Sequence, residues 1–368
     1  MTGDYNRIHF IGIGGTGMSG IAKVLLNMGY VISGSDLKAS DALLRLQEAG
    51  ARVYIGHQAE NVDGADMVVI SSAIPKTNPE YVRALKTNIP VVHRADMLSL
   101  LMTSKKGIAI TGAHGKTTTT SMISMMLEKN GFDPTVVIGG ELNDIGGNAT
   151  LGGGEYLVAE ADESDGSFVK LLPYIGVVTN IENDHMDFYL NMDNMKTAFK
   201  KFIGNIKDGG FAVLCNDNEN VREIIKDIDK DYFTFGINYP SDYMPKNIKF
   251  NGLTSCFDAY FKEEFLGKME LHVPGLHNIV NAMAAVAVGN QLGVKVESIS
   301  HALGAFQGVQ RRFQVIGDVG GIKVIDDYSH HPTEIRAALK AARLSSPRRI
   351  YAIFQPHRYS RTMFLSED

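Results

Sequence analysis

Two glycine-rich loops, each set between a short apolar run and a helix-like stretch, restrict what this chain can fold into. The first, Gly12-Ile13-Gly14-Gly15-Thr16-Gly17, follows Ile8-His9-Phe10-Ile11 and precedes apolar spacing from Met18 to Met28 that Gly29 closes. The second, Thr111-Gly112-Ala113-His114-Gly115-Lys116-Thr117-Thr118, follows Ile108-Ala109-Ile110 and opens a stretch rich in Met and Leu. Strand, glycine turn, helix and strand in that order begin a parallel α/β unit, because parallel neighbours require a crossover.

The chain has 368 residues, more than one hydrophobic core ordinarily serves, so two or three domains are expected. Polar residues at 103–107 place one boundary, giving segments 1–104, 105–309 and 310–368. In the first, strands are expected at 30–33, 67–70 and 90–93. In the second they fall at 156–159, 175–179 and 211–214, with antiparallel alternation over 257–273 and a helix over 278–292 after Pro274-Gly275. The third reads strand (323–325), helix (333–342), strand (350–354). It is short beside the roughly 100–150 residues usual for a domain, and an incomplete C-terminal domain is expected.

Hydrophobic residues at 44% and charged residues at 21% describe an ordinary globular protein, and a net charge of -5 argues against a nucleic-acid partner. Two cysteines make no disulfide framework or clustered zinc motif. The sequence has no signal-peptide pattern and no apolar run near the roughly 20 residues of a spanning helix, so a cytoplasmic protein without membrane contact is expected.

The first loop fits G-x-G-x-x-G, whose missing side chains let backbone N–H groups approach a diphosphate at the positive end of a helix. Asp36, after the second strand, is placed to accept hydrogen bonds from a ribose, although a tight turn with a capping Asp gives the same pattern. The second loop departs from the usual phosphate-loop spacing, since Ile110 stands five before Gly115. It keeps the demanding part: glycines that bare N–H groups, Lys116 for the β/γ-phosphates and the Thr117 hydroxyl for Mg²⁺. Two unlike phosphate loops point to two substrates, with ATP as the energy source.

Carboxylates at the carboxyl end of a strand face the crevice where α/β sheets bind ligands. Glu160-Ala161-Asp162-Glu163-Ser164-Asp165 ends the 156–159 strand, and Glu160 is the first choice of Mg²⁺ ligand, with Asp162 and Glu163 in reserve. Asn180 to Asp187 ends the next strand similarly; its His185 is no obvious Mg²⁺ ligand, because that ion prefers oxygen.

Taken in order, these segments resemble the Mur ligase family. Gly12-Ile13-Gly14-Gly15 with Gly17-Met18-Ser19-Gly20 is similar to the opening of members that add one alanine to a UDP-sugar. The second loop, Glu160 to Asp165, Asn180 to Asp187, and His277-Asn278 with Asn281-Ala282 continue the likeness. Arg311-Arg312-Phe313, Asp326 to Pro332 and Phe354 to Tyr359 complete it.

The resemblance implies an α/β, three-domain architecture: an N-terminal Rossmann-like UDP-binding domain, a central P-loop ATPase domain and a partial C-terminal Rossmann-like domain. It implies that ATP, with Mg²⁺, drives joining of L-alanine to the lactyl carboxylate of UDP-N-acetylmuramate, in a monomer or homodimer. It assigns the first loop (Gly12, Gly14, Gly15, Gly17) and Asp36 to UDP, with Ser71, Ser72, His93 and Arg94 as further contacts. Gly112, Ala113, His114, Gly115, Lys116, Thr117 and Thr118 would cradle ATP, and Thr117, Glu160 and His185 would hold metal. Asn278 and Asn281 would lie near adenine, with Arg312, Asp326, Tyr328 and His331 also facing the nucleotide. His357, Arg358 and Arg361 would face the substrate cleft. A ligase adding a whole peptide to the same sugar nucleotide is the near alternative; a Rossmann oxidoreductase would leave the second loop idle.

Overall fold

The computed structural model describes residues 5–142 and 147–356, together with Tyr359 and Met363. The N-terminal elements are β1 (Arg7–Ile11), α1 (Thr16–Asn27), β2 (Val31–Asp36), α2 (Asp41–Glu48), β3 (Arg52–Ile55), β4 (Met67–Ile70), α3 (Pro79–Lys86), β5 (Val91–His93) and α4 (Arg94–Thr103). Their five strands are parallel, in the order β3-β2-β1-β4-β5. The chain reverses its winding between β1 and β4, and the first glycine loop leaves β1 at that switch point, where a crevice forms.

The central elements begin with β6 (Lys106–Thr111), α5 (Lys116–Lys129), β7 (Thr135–Leu142), β8 (Gly147–Thr150), β9 (Tyr156–Glu160) and β10 (Ile175–Val178). They continue with α6 (Met186–Tyr189), α7 (Met192–Gly204), β11 (Phe211–Cys215), α8 (Glu219–Ile225) and β12 (Tyr232–Phe235). The strands β13 (Tyr243–Asn251), β14 (Thr254–Phe261) and β15 (Glu264–Leu271) and the helices α9 (Leu276–Gln291) and α10 (Val296–Gly304) complete the domain. The sheet runs β15-β14-β13-β12-β11-β10-β6-β9-β7-β8, parallel from β13 to β7, with antiparallel pairings beyond β13 and at β7–β8.

The middle of strand β6, Ile108-Ala109-Ile110, is unbroken by polar residues because both its faces are covered. Ala109 joins the core on one face, while Ile108 and Ile110 join the core on the other. A strand covered on both sides reads as a continuous apolar run. Helix α5 is likewise buried from Thr118 to Leu127, between the sheet and α9 and α10. The small residues of α9 allow that approach: a Cβ on Gly289 would lie 3.0 Å from the Met126 sulfur.

The first two domains share one core, in which Met97, Leu98 and Leu101 of α4 meet Val137, Ala149 and Leu157. Helix α1 lies across β7 and β8. The Asn148 amide donates to the Thr16 carbonyl at 2.6 Å and to the Ser19 hydroxyl at 2.9 Å. A Cβ on Gly20 would sit 3.3 Å from Val137 and 3.4 Å from Ala149. The Met18-Ser19-Gly20 signature thus includes a seam between domains.

In the third segment the described residues form the antiparallel pair β16 (Gln314–Val319) and β17 (Ile322–Asp326), then α11 (Pro332–Arg343), which rests on α9. The expected strand at 350–354 is not formed: residues 350–356 have no regular structure, and Ile353 is fully exposed. Apolar character alone does not make a strand where no neighbouring strand supplies hydrogen bonds. Strand β13 went unseen in the sequence because Pro245, Lys246, Asn247 and Lys249 break its alternation.

Replacing Gly20 by leucine should force α1 off β7 and β8. The expected loss is about 1–3 kcal/mol, the usual cost of overpacking, read as a lower denaturant midpoint; an unchanged midpoint would show that the seam yields freely.

Candidate functional site: two phosphate loops on one cleft

Both loops end in helices whose first N–H groups have no side-chain cap: α1 starts after Gly15 and α5 after Gly115. Uncapped N–H groups at a positive helix end suit an anion. Loop one is anchored to β2 by main-chain bonds, with Gly12 and Ile13 N–H both donating to the Ser35 carbonyl, at 2.8 and 3.0 Å. Asp36 accepts from Gly14 N–H at 2.9 Å, so its carboxylate braces the loop. Beneath lies Glu80, wholly buried, accepting from Ser35 Oγ at 2.5 Å and Asn61 Nδ2 at 2.6 Å.

The second loop needs its glycines for space as well as conformation. At Gly112 φ is +132°, and a Cβ there would lie 2.2 Å from Thr179 Oγ1. At Gly115 φ is +81°, and a Cβ would lie 2.6 Å from the Asn281 side-chain oxygen. Asn180 clamps the loop from below: its Oδ1 accepts from His114 N–H and its Nδ2 donates to the His114 carbonyl, both at 2.9 Å.

Lys116 donates to the Gly112 carbonyl at 2.5 Å and to Glu163 Oε1 at 2.8 Å. Burial opposes its charge, but Glu163, Asp162 and Glu160 more than compensate and raise its pKa, so the ammonium stays charged. Thr117 donates to Glu160, as does Gly139 N–H, yet Glu160 Oε1 is buried with no protein partner. Burial pushes the Glu160 carboxyl up. An orphan buried carboxylate oxygen beside a threonine hydroxyl fits an oxygen-seeking cation.

His185 occupies a left-handed conformation (φ +57°) at the start of α6, with Nε2 3.5 Å from Asp184 and 3.7 Å from Glu163. Non-glycine residues rarely adopt it, at a cost of about 1–3 kcal/mol, and such strain concentrates at functional sites.

Two cavities flank the second loop. One, of about 430 Å³, is lined by Thr16, Gly17 and Arg94 from the first domain and by Lys116, Glu160 and His185 from the second. Tyr328 and Arg312 close its third side. The other, of about 350 Å³, holds Gly115, Thr117, Thr118, Asn278, Asn281 and Arg312 in its wall.

The residues expected at the UDP end divide. Arg94 lies against Gly17 and pairs with Asp162 at 3.0 Å. Burial opposes ionisation of Asp162, but Arg94 and Lys116 hold its carboxyl far below the usual range. Ser72 donates to Asp165, and His93 lies 3.8 Å from the same carboxylate. Ser71 merely begins a turn after β4. Asp162 and Asp165 therefore tie the first domain to the second.

At the other end, Asp326 pairs with Arg311 at 3.3 Å and lies outside the walls of both cavities. Its neighbour Asp327 lines the second and accepts from Phe313 N–H at 2.7 Å. His357, Arg358 and Arg361 lie outside the described residues.

Glu334 was missed in the sequence. It stands three residues after His331, the N-cap of α11, and so passes for a capping glutamate. Instead it contacts His114 Nδ1 at 3.2 Å and accepts from Arg312 at 3.3 Å. Glu182 lies 3.3 Å from His114 Nε2 and accepts from Thr333 at 2.8 Å. Burial lowers the His114 pKa, but the two glutamates prevail and lift it to about 9.

The fold defines an α/β protein that presents two glycine-rich loops to one cleft. The Mur ligase middle domain matches residues 110–289, the Mur ligase family catalytic domain residues 7–106, and the Mur ligase glutamate ligase domain residues 311–365. UDP-N-acetylmuramate–L-alanine ligase of Pelotomaculum thermopropionicum is 55% identical over 98% of this chain and 78% of its own length. The ligase of the same name from Dictyoglomus turgidum is 54% identical over 98% and 78%. A crystal structure of UDP-N-acetylmuramate-alanine ligase from Thermotoga maritima superposes with a TM-score of 0.83 at 31% identity, covering 92% of this chain and 78% of that one. The chain belongs to the Mur ligase family, and it is a ligase.

A raised histidine pKa contributes stability that is complete below the unfolded value near 6.5 and is lost as pH rises through about 9. The melting temperature should accordingly fall between pH 6.5 and 9.5, and Glu334→Gln should flatten that slope. An equal slope in the variant would remove His114 as its source.

Proposed function

We propose that this chain joins L-alanine to the lactyl carboxylate of UDP-N-acetylmuramate with hydrolysis of ATP to ADP, a step of peptidoglycan precursor synthesis. The observation that carries the reading is the shared cavity: Thr16 and Gly17 of one phosphate loop and Lys116 of the other line the same space. The curated relatives carry this activity in their names. A solved UDP-N-acetylmuramate:L-alanyl-γ-D-glutamyl-meso-diaminopimelate ligase of Neisseria meningitides, similar at 27% identity with a TM-score of 0.77 over 83% of this chain and 100% of that one, is named for the addition of a peptide, so the amine substrate must be tested directly.

In the proposed reaction the lactyl carboxylate attacks the γ-phosphorus of ATP, and ADP leaves. The amine of alanine then attacks the acyl phosphate, phosphate leaves, and the amine gives up a proton. The first attack brings one anion to another, so positive charge must line its path. Lys116 supplies it by exchanging Glu163 for a phosphate, and Arg312, which borders both cavities, supplies more. Thr117 and Glu160 would hold one Mg²⁺, and His185, which lines the same cavity as Glu160, a second. Bound there, these ions would neutralise phosphate charge.

The first loop, braced by Asp36, would take the UDP diphosphate, with Arg94 beside it. The second cavity would take adenosine, against Asn278 and Asn281. In this reading the domains divide at 104/105 and 309/310. No helix among the described residues is long and apolar enough to cross a membrane, and a cytoplasmic site of action suits a nucleotide-activated sugar.

Sustained, multiple-turnover ADP production should require UDP-N-acetylmuramate and L-alanine together, and a murein tripeptide should not replace alanine. Lys116→Ala should lower kcat by about 10³-fold or more, the scale of losing an electrostatic contact to a transition state. Turnover with the tripeptide in place of alanine would reassign the chain to the peptide-adding reaction; near-normal turnover in Lys116→Ala would remove the role given to the lysine.

A further inference from the structure

One cluster stands apart from the Thr117–Glu160 position and is built from nitrogen as well as oxygen. His114 comes from the phosphate loop, Glu182 from the segment after β10, and His331 from the N-cap of α11. His114 Nε2 lies 3.2 Å from His331 Nδ1 and 3.3 Å from Glu182 Oε2, and the last two atoms are 3.9 Å apart. All three ligand atoms fall within 4.8 Å of one another. A tetrahedral ion with ligands about 2.0–2.1 Å away sets its ligand atoms about 3.3–3.4 Å apart. The observed triangle needs only a small movement of one edge.

The surroundings of His114 match those of a metal-bound imidazole. Metal-ligating histidines present one ring nitrogen to the ion and donate the other N–H to a carboxylate or carbonyl. Here Nε2 faces the cluster, while Nδ1, buried and without a formed hydrogen bond, lies 3.2 Å from Glu334 Oε1, near enough to donate to that carboxylate once the ring settles on an ion. His331 Nδ1 also accepts a long bond from Thr333 N–H at 3.3 Å, which an ion would displace. Two imidazoles and one carboxylate suit zinc better than Mg²⁺.

We propose that His114, Glu182 and His331 form a further metal site that takes Zn²⁺ or a similar divalent transition ion and fastens the C-terminal segment to the phosphate loop. The site joins three stretches distant in sequence and borders the second cavity, whose wall includes His114 and Glu182. Zinc there holds α11 against the loop. Its geometry stands independently of which amine the enzyme uses. Zinc binds the neutral imidazole, so uptake at the cluster displaces any proton the rings carry.

The test uses the full chain carrying Cys256→Ser, to remove the exposed thiol, and equilibrium dialysis against Zn²⁺ at pH 7.5. One tight zinc per chain is expected, with proton release visible in buffers of different ionisation enthalpy. His114→Gln and His331→Gln should each weaken binding by more than the about 10–100-fold that loss of an outer-shell partner costs. His185→Gln should leave it unchanged, which separates this site from the oxygen-lined one. Unchanged zinc affinity in both cluster variants, or none that saturates, overturns the proposal. Should those variants fail to fold, Co²⁺ bound to the Cys256→Ser chain decides: intense visible absorption of a tetrahedral ion supports the site, and the weak spectrum of a six-coordinate ion alone overturns it.

Discussion

Helix α1 cannot move without carrying the first glycine loop, and it is pressed against β7 and β8 of the neighbouring sheet through Gly20, Ser19 and Asn148. That contact fixes the distance between two phosphate loops that belong to different sheets. Each loop is locally self-sufficient: one is tied to the Ser35 carbonyl, the other to Asn180. Neither determines where the other lies. The seam does, and the cavity between Gly17 and Lys116 follows from it.

Electrostatics then sets the state of that cavity. Lys116 and Glu163 form a pair in which the glutamate side chain is 2% exposed. Removing one partner of a buried pair costs about 3–5 kcal/mol, against about 0–1 kcal/mol for an exposed one such as Arg83–Asp63. The lysine is therefore kept charged and in place without a ligand, and an arriving phosphate exchanges one anion for another. Asp162 shares in this, since it sits between Arg94 and Lys116 and so senses both loops.

The parts of the site legible in the sequence are those whose chemistry is local. The glycines, Lys116 and Thr117 follow one another along the chain, and strand-end carboxylates such as Glu160 follow from the direction of parallel strands. What the sequence hid depends on distant partners. Asn180 grips a loop 66 residues away, and Asp165 accepts from Ser72 across 93. Glu334 resembled an ordinary helix cap because its partners, His114 and Arg312, come from outside its helix. Burial on both faces made β6, β9, β10 and β11 legible as apolar runs, whereas β7, buried on both faces as well, went unread, as did β13, where polar residues interrupt the alternation.

The position of His331 at the first turn of α11 has a mechanical consequence. The helix has 12 residues and is roughly 18 Å long at 1.5 Å per residue. Its polar ties, from His331 and Glu334 to the phosphate loop and from Thr333 to Glu182, are confined to one end. Towards the other end Ala341 is wholly buried, and a Cβ on Gly275, just before α9, would lie 3.1 Å from its Cβ. The helix is thus clamped at both ends by unlike forces, directional bonds beside the chemistry and close packing away from it. A change in which groups hold the first turn must be absorbed there, because the packed end cannot slide without opening a void.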